Sequence, residues 1–172
     1  DSGAEAFDYL DDGESLTLTY TVQVEDDSGA TDSKEVVVTI TGTNDAPAIS
    51  VETGDSDSTT LTETDAGLSD GGTLSVADLD LSDEVTASVT GVVESGTTAG
   101  LGSDNATLAG MLTVTAGAIA ADPGDTNNLA WSFDSGAEAF DYLDDGESLT
   151  LTYTVQVEDD SGATDSKEVV VT

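Results

Sequence analysis

Residues Ser148–Glu158 read SLTLTYTVQVE, and the fold turns on how this stretch is read. Leu149, Leu151, Tyr153, Val155 and Val157 alternate with Thr150, Thr152, Thr154 and Gln156. A period of two puts the apolar side chains on one face of a strand and a mostly threonine face on the other. Asp159-Asp160-Ser161-Gly162 follows, a turn by composition. Lys167–Thr172 is then a second strand, and the pair reads as a long hairpin.

That hairpin lies in a segment that occurs twice. Residues 1–39 and 134–172 are the same 39 letters, at an offset of 133 residues. Self-similarity at a fixed period marks a repeat array. This period exceeds the roughly 20–50 residues of a solenoid unit and suits one whole domain of about 100–150 residues. With a boundary at Asn44-Asp45-Ala46-Pro47, residues 1–44 are the C-terminal third of one repeat and residues 45–172 a nearly complete second one. The leading third cannot bury a two-sided core alone, so it is expected to be unstable, completed by another chain, or part of a longer polymer.

Upstream of the second hairpin, strands are expected at 48–52, 59–64, 73–76, 84–93, 111–116 and 128–133, punctuated by Gly and Asp clusters. Leu129, Trp131 and Phe133 share one face, and Trp131, the only tryptophan, is expected as a core anchor. Helical turns are expected at 117–121 and 137–143. Six to eight short strands separated by turn signals give an all-β class: an immunoglobulin-like or cadherin-like sandwich in a tandem-repeat array.

Composition narrows the function. The chain has 37 acidic residues against Lys34 and Lys167, with no arginine, histidine or cysteine, for a net charge of −35. Such a density repels nucleic acid and anionic membranes and strains the compact state unless cations screen it. Solubility in salt water accounts for surplus surface acids equally well. The apolar fraction of 37%, gathered into strands, argues against disorder. Without cysteine there is no disulfide framework. No run of 18 apolar residues spans a membrane, and no signal peptide is visible. Nucleophiles of the Ser-His and Cys-His kinds are ruled out, and zinc is disfavoured for want of His and Cys. With so many acids a carboxylate pair at glycosidase spacing carries no information, so no enzymatic role is expected.

The run Phe7-Asp8-Tyr9-Leu10-Asp11-Asp12-Gly13-Glu14-Ser15-Leu16-Thr17-Leu18-Thr19-Tyr20-Thr21-Val22, the loop Val24–Gly29, and Thr39-Ile40-Thr41-Gly42-Thr43-Asn44-Asp45-Ala46-Pro47 together resemble the VCBS repeat family. The match covers most of the last third of each repeat. A looser one runs through Gly72–Asp80. The resemblance implies very large secreted bacterial proteins, many of them RTX-type adhesins exported by type I secretion, whose repeats space a binding tip from the cell. A weaker similarity is to cadherin repeats, through Leu10-Asp11, the strand running to Asp26, and Asn44-Asp45-Ala46-Pro47. Gly13 stands where cadherins place glutamate, with Glu14 one position later.

Calcium coordination is the chemistry these residues suit. Calcium takes six to eight hard oxygens, which clustered loop carboxylates supply. Three groups are expected to meet at the repeat junction: Asn44 and Asp45 from the linker; Asp11, Asp12 and Glu14 from the first repeat; and Asp78, Asp80 and Asp159 or Asp160 from the second. In Asp78-Leu79-Asp80 both carboxylates would turn to one ion while Leu79 packs inward. Solvated turn aspartates are the competing reading. Asp55-Ser56-Asp57-Ser58 lacks the glycine and glutamate of an EF-hand, and Gly-Gly-x-Gly-x-Asp repeats are absent.

The expected role is an extender of a bacterial surface adhesin, secreted, with neighbouring repeats of the same chain as partners. A strand of ~10 residues spans ~33 Å, so each repeat would add on the order of 40 Å. Two alternatives differ in class: an adhesive module making glycan or cell-surface contacts, and a fibre subunit completed by strand exchange through homotypic contacts. Because residues 1–39 and 134–172 are identical, they could compete for one site.

Overall fold

A computed structural model describes residues 6–115 and 117–172. The duplicated segment's first five residues and Ala116, the expected end of one strand, lie outside the described residues. The strands are β1 (Ser15–Glu25), β2 (Thr31–Thr41), β3 (Ala48–Ser50), β4 (Ser58–Thr59), β5 (Ser69–Ala77), β6 (Glu84–Gly96), β7 (Leu112–Val114), β8 (Ile119–Ala120), β9 (Leu129–Asp134), β10 (Leu149–Glu158) and β11 (Thr164–Val171), with one short helix, α1 (Asn105–Ala109). The all-β expectation holds.

Residues from β3 onward form a sandwich. One sheet runs β4-β11-β10-β6-β8 and the other β3-β5-β9-β7. Their inner faces make a single core. Leu149, Leu151, Tyr153, Val155 and Val157 of β10 meet Leu74 and Val76 of β5 and Leu129, Trp131 and Phe133 of β9. Tyr153 and Phe133 bridge the layers edge to face, with ring centroids 6.3 Å apart. Trp131 is a core anchor; its Nε1 donates to the Ser56 carbonyl at 2.7 Å. The ring packs on bare backbone at Gly72, where a Cβ would come within 2.8 Å of it.

The register of β6 explains why its sequence does not alternate cleanly. Thr154 of β10 faces Gly91, but the next residue, Val155, faces Val89. Thr90 is thus an extra residue, a β-bulge, and it switches parity. Val85 is buried before the bulge and Val92 after it, while Val93 faces solvent.

Several expectations need correction. The segment 117–121 is not a helical turn, because Ile119–Ala120 pairs with Glu84–Val85 as a short strand. Residues 137–143 form two tight turns, Glu138 N–H to Ser135 O and Leu143 N–H to Phe140 O, and no helix. The one helix lies at Asn105–Ala109 instead. There Asp104 accepts from the Thr107 N–H at its N-terminus, and Leu108 is buried beneath it. The strand expected at 59–64 is only Ser58–Thr59, although Leu61 still donates to the Thr172 carbonyl.

The two copies of the duplicated segment form the same hairpin in two environments. Tyr20 pairs with Val36 in β1–β2 and Tyr153 with Val169 in β10–β11. Yet β1–β2 is a two-stranded sheet by itself, with Tyr20 53% exposed, whereas Tyr153 is 0% exposed. Only the base of the first copy is covered. Gly42 N–H bonds to Glu14 O and Thr43 N–H to Leu10 O, and Leu10 is buried.

Candidate metal centre

One end of the sandwich carries the candidate site, and strand periodicity builds it. On β5 the inward residues are Leu74 and Val76; the same parity, carried past the strand end, gives Asp78 and Asp80. On β6 the inward residue Val85 is preceded at the same parity by Asp83. On β10 the inward set ends at Val157, and the next member is Asp159. All four aspartates are buried: Asp78 is 3% exposed, Asp80 0%, Asp83 3% and Asp159 4%. The apolar core therefore ends in a layer of carboxylates.

The loop between β5 and β6 inverts the usual burial. Asp78, Asp80 and Asp83 face in, while Leu79 is 42% exposed and Leu81 56%. The expectation that Leu79 packs inward is wrong, because the strand parity that turns the acids in turns the leucines out.

The linker closes over this layer. The Asp45 backbone N–H donates to Asp80 Oδ2 at 2.6 Å, and Asn44 Nδ2 donates to Asp159 Oδ2 at 3.1 Å. Asp11 arrives from the turn before β1. Carboxylate oxygens of Asp11, Asp80 and Asp83 lie within 4.8 Å of one another, as do those of Asp78, Asp83 and Asp159. Asp83 belongs to both triads.

Hydrogen bonding satisfies Asp159 at both oxygens but leaves bare oxygens on the other three aspartates. Asp78 Oδ1 accepts from the Asp80 N–H at 3.1 Å, and Asp159 Oδ1 from the Ala163 N–H at 2.7 Å. Asp78 Oδ2, Asp80 Oδ1, Asp83 Oδ2 and Asn44 Oδ1 are buried with no hydrogen-bond partner. A buried, unpaired oxygen of this kind is costly, and a charged one more so. No cation among the described residues meets the cost: Lys167 pairs with Asp57 at 3.4 Å, and Lys34 is on exposed β2. Burial, and next the repulsion of Asp11, Asp160, Asp78 and Asp80, pushes the Asp83 carboxyl up to about 7. Burial raises Asp78 and Asp80 as well.

Of the residues expected at the junction, Asp11, Asp78, Asp80 and Asp159 converge, and Asn44 lies against them. Asp45 contributes its backbone N–H. Asp12, Glu14 and Asp160 do not join either triad. Glu14 Oε2 accepts the Asp11 N–H at 3.2 Å, capping its own turn. Its copy Glu147 makes the same bond to Asp144 at 2.9 Å, so this contact is local and independent of the junction. Asp12 is exposed and donates its N–H to Asp11 Oδ1; Asp160 is exposed on the β10–β11 turn. Asp83 was not among the expected residues. Its signal was the parity it shares with Val85.

Together these side chains can hold a metal ion. Two oxygens bound to one calcium at 2.3–2.6 Å cannot be more than about 5 Å apart, which the observed spacing satisfies. A third group, Glu63, Asp65 and Asp141, also lies within 4.8 Å, but Asp65 and Asp141 are exposed, and none of its oxygens is buried without a partner. Solvated acids account for it. A cavity of about 440 Å³ is lined by Leu61, Leu68, Phe140 and Leu143 among others and shares no residue with the junction.

No protein-family model matches the chain, and no curated protein matches it. Among the described residues no helix is long and apolar enough to cross a membrane.

Proposed function

We propose that the chain is an extension module of a secreted, cell-surface protein of the adhesin kind, with calcium stiffening the joint between one hairpin and the next sandwich. Asp11, Asp78, Asp80, Asp83 and Asp159 are the carboxylate ligands, and Asn44 Oδ1 supplies a neutral oxygen. The cell-surface setting rests on the resemblance of residues 7–47 to VCBS repeats.

The observation that carries the metal reading is the inverted loop. Three carboxylates are buried, each with one oxygen unpartnered, while the two leucines between them face water. Apolar burial alone would favour the opposite arrangement by roughly 1.5–3 kcal/mol for each leucine. A divalent cation reverses that balance, because it turns mutual repulsion into shared coordination. An all-oxygen set with several carboxylates and an amide suits calcium, whose coordination is large and flexible, better than magnesium, which keeps its waters. Asp83, common to both triads, is placed to bridge two ions.

Stiffening follows from where the ligands come from. Asp11 belongs to the segment before the linker, and Asp78, Asp80, Asp83 and Asp159 to the sandwich after it. An ion that binds both holds the hairpin axis at a set angle, and it favours the folded joint by mass action. The test is small-angle scattering of the 172-residue chain in calcium and in chelator at fixed ionic strength, beside a calorimetric calcium titration. The expected result is saturable binding and a narrower, longer distance distribution with calcium. Equal scattering profiles and no heat of binding would dispose of the proposal.

A further inference from the structure

We propose that the site holds two calcium ions with separate tasks: an inner ion that belongs to the sandwich, and an outer ion that alone sets the stiffness of the joint. This rests on the calcium reading above and adds what each ion does.

The carboxylates sort into two ion positions. Asp78, Asp83 and Asp159 have oxygens within 4.8 Å of one another, and so do Asp11, Asp80 and Asp83, but the five do not form one group at that spacing. Asp83 is the shared member. Its Oδ2 is buried with no hydrogen-bond partner, as are Asp78 Oδ2 in the inner triad and Asp80 Oδ1 in the outer. Each triad therefore has a bare oxygen of its own besides that of Asp83. An ion in one position alone would leave the other triad's oxygen buried and unpartnered, which is costly for a charged group.

The positions differ in what they tie together. Asp78, Asp83 and Asp159 are all buried and all belong to the sandwich, in the loop between β5 and β6 and just past the end of β10. Asn44 lies on this inner side through its bond to Asp159, and it is next to Asp45, whose N–H is fixed to Asp80. These two linker residues move with the sandwich. Gly42 and Thr43 move with the hairpin, because their N–H groups bond to Glu14 O and Leu10 O. Gly42 also packs so closely that a Cβ there would overlap the Leu10 and Asp11 carbonyls, which fixes the turn that carries Asp11. The hinge is thus the single step from Thr43 to Asn44. Among the described residues Asp11 is the one member of either triad that lies on the hairpin side of that step. The outer ion spans the hinge, and the inner ion does not.

Affinity follows from the same division. The inner ligands are held by one folded body, so the ion meets them preorganised. The outer ion must also hold the hairpin in one orientation, and that loss of freedom weakens its binding. As calcium falls, the outer ion leaves first and the joint loosens while the sandwich stays folded.

The test compares the native 172-residue chain with Asp11→Asn and Asp12→Asn, using calcium as the probe. Calorimetry counts the ions, small-angle scattering reads the joint, and melting followed by circular dichroism reads the sandwich. The native chain is expected to bind two ions in separable steps. Its melting temperature should begin to rise over the tighter step, and its scattering should change only over the weaker one. Asp11→Asn is expected to keep the tighter step and its rise in melting temperature. It should lose the weaker step and all calcium dependence of the scattering. Asp12→Asn, the same charge change one residue away and in neither triad, should behave as the native chain. An Asp11→Asn chain that loses both steps, or whose scattering still responds to calcium, would overturn the division. So would a single bound ion in the native chain, or an equal loss in Asp12→Asn. No heat from the native chain would instead remove the calcium reading on which the division rests.

Discussion

Asp83→Asn separates a metal centre from a set of solvated acids, because only a metal centre makes the effect of the substitution depend on calcium. Asp83 is 3% exposed, and its oxygens lie within 4.8 Å of those of Asp11, Asp78, Asp80 and Asp159. One pair of unit charges at that distance costs about 3.5 kcal/mol at an effective dielectric constant of about 20. The carboxyl's shift from 3.8 to about 7, caused first by burial and then by its acidic neighbours, converts to about 4 kcal/mol at pH 8 at about 1.4 kcal/mol per unit. Relaxation and water entry reduce both figures. The isosteric amide should therefore stabilise the metal-free protein by about 2–4 kcal/mol at pH 8. At roughly 3 °C per kcal/mol for a domain of this size, that raises the melting temperature by about 6–12 °C. In calcium the gap should narrow by about 2 kcal/mol or more. At a hundred times its dissociation constant the ion adds about 2.7 kcal/mol to the native chain. The variant, which lacks the carboxylate common to both triads, should gain less than about 1 kcal/mol. Thermal melting by circular dichroism at pH 8, in chelator and in calcium at equal ionic strength, gives all four values. A variant less stable than the native chain in chelator, or one with the full calcium gain, would refute the reasoning.

Without metal, stability should fall as pH rises from about 4 to 7, the window between the unfolded and folded values for Asp83, because the native state binds the extra proton there. Saturating calcium displaces that proton and should flatten the slope, which denaturant titrations at successive pH values would reveal. Asp55 should behave in the opposite sense. Burial works against its charge, but bonds from Ser75, Glu52, Thr73 and Asn127 outweigh it and hold the carboxyl below its usual range, so its contribution is lost as pH falls. Asp55→Asn should cost about 2–3 kcal/mol at neutral pH in urea unfolding, because Thr73, Ser75 and Asn127 lose a charged acceptor. Gly72→Ala should cost about 1–3 kcal/mol and shift Trp131 emission, since the new methyl meets the indole ring. Asp65→Asn, in the exposed acidic group, should change neither calcium heat nor melting temperature beyond about 0.5 kcal/mol.

Much of the site is legible in the sequence. Clustered turn acids pointed to Asp11, Asp78, Asp80 and Asp159, and all four converge. The same rule also named Asp12, Glu14 and Asp160, which serve local turns or face water. Strand parity discriminates better. Counting by twos from Val76, Val85 and Val157 reaches Asp78, Asp83 and Asp159, and it would have turned Leu79 outward.

By itself the sequence determined the local structure of the duplicated segment. The same letters give the same strands, the same pairing and the same turn, with Ala30 N–H on Asp26 in one copy and Ala163 N–H on Asp159 in the other. These are contacts between near neighbours, and neighbours are what a stretch of sequence specifies. Burial was not determined that way. Tyr20 and Tyr153 lie in identical 39-residue segments, yet one faces water and the other the core. Asp26 and Asp159 close identical turns, yet only Asp159 meets Asp78, Asp83 and the linker. Only the tertiary structure decided these differences, because burial and charge convergence depend on chain segments tens of residues away.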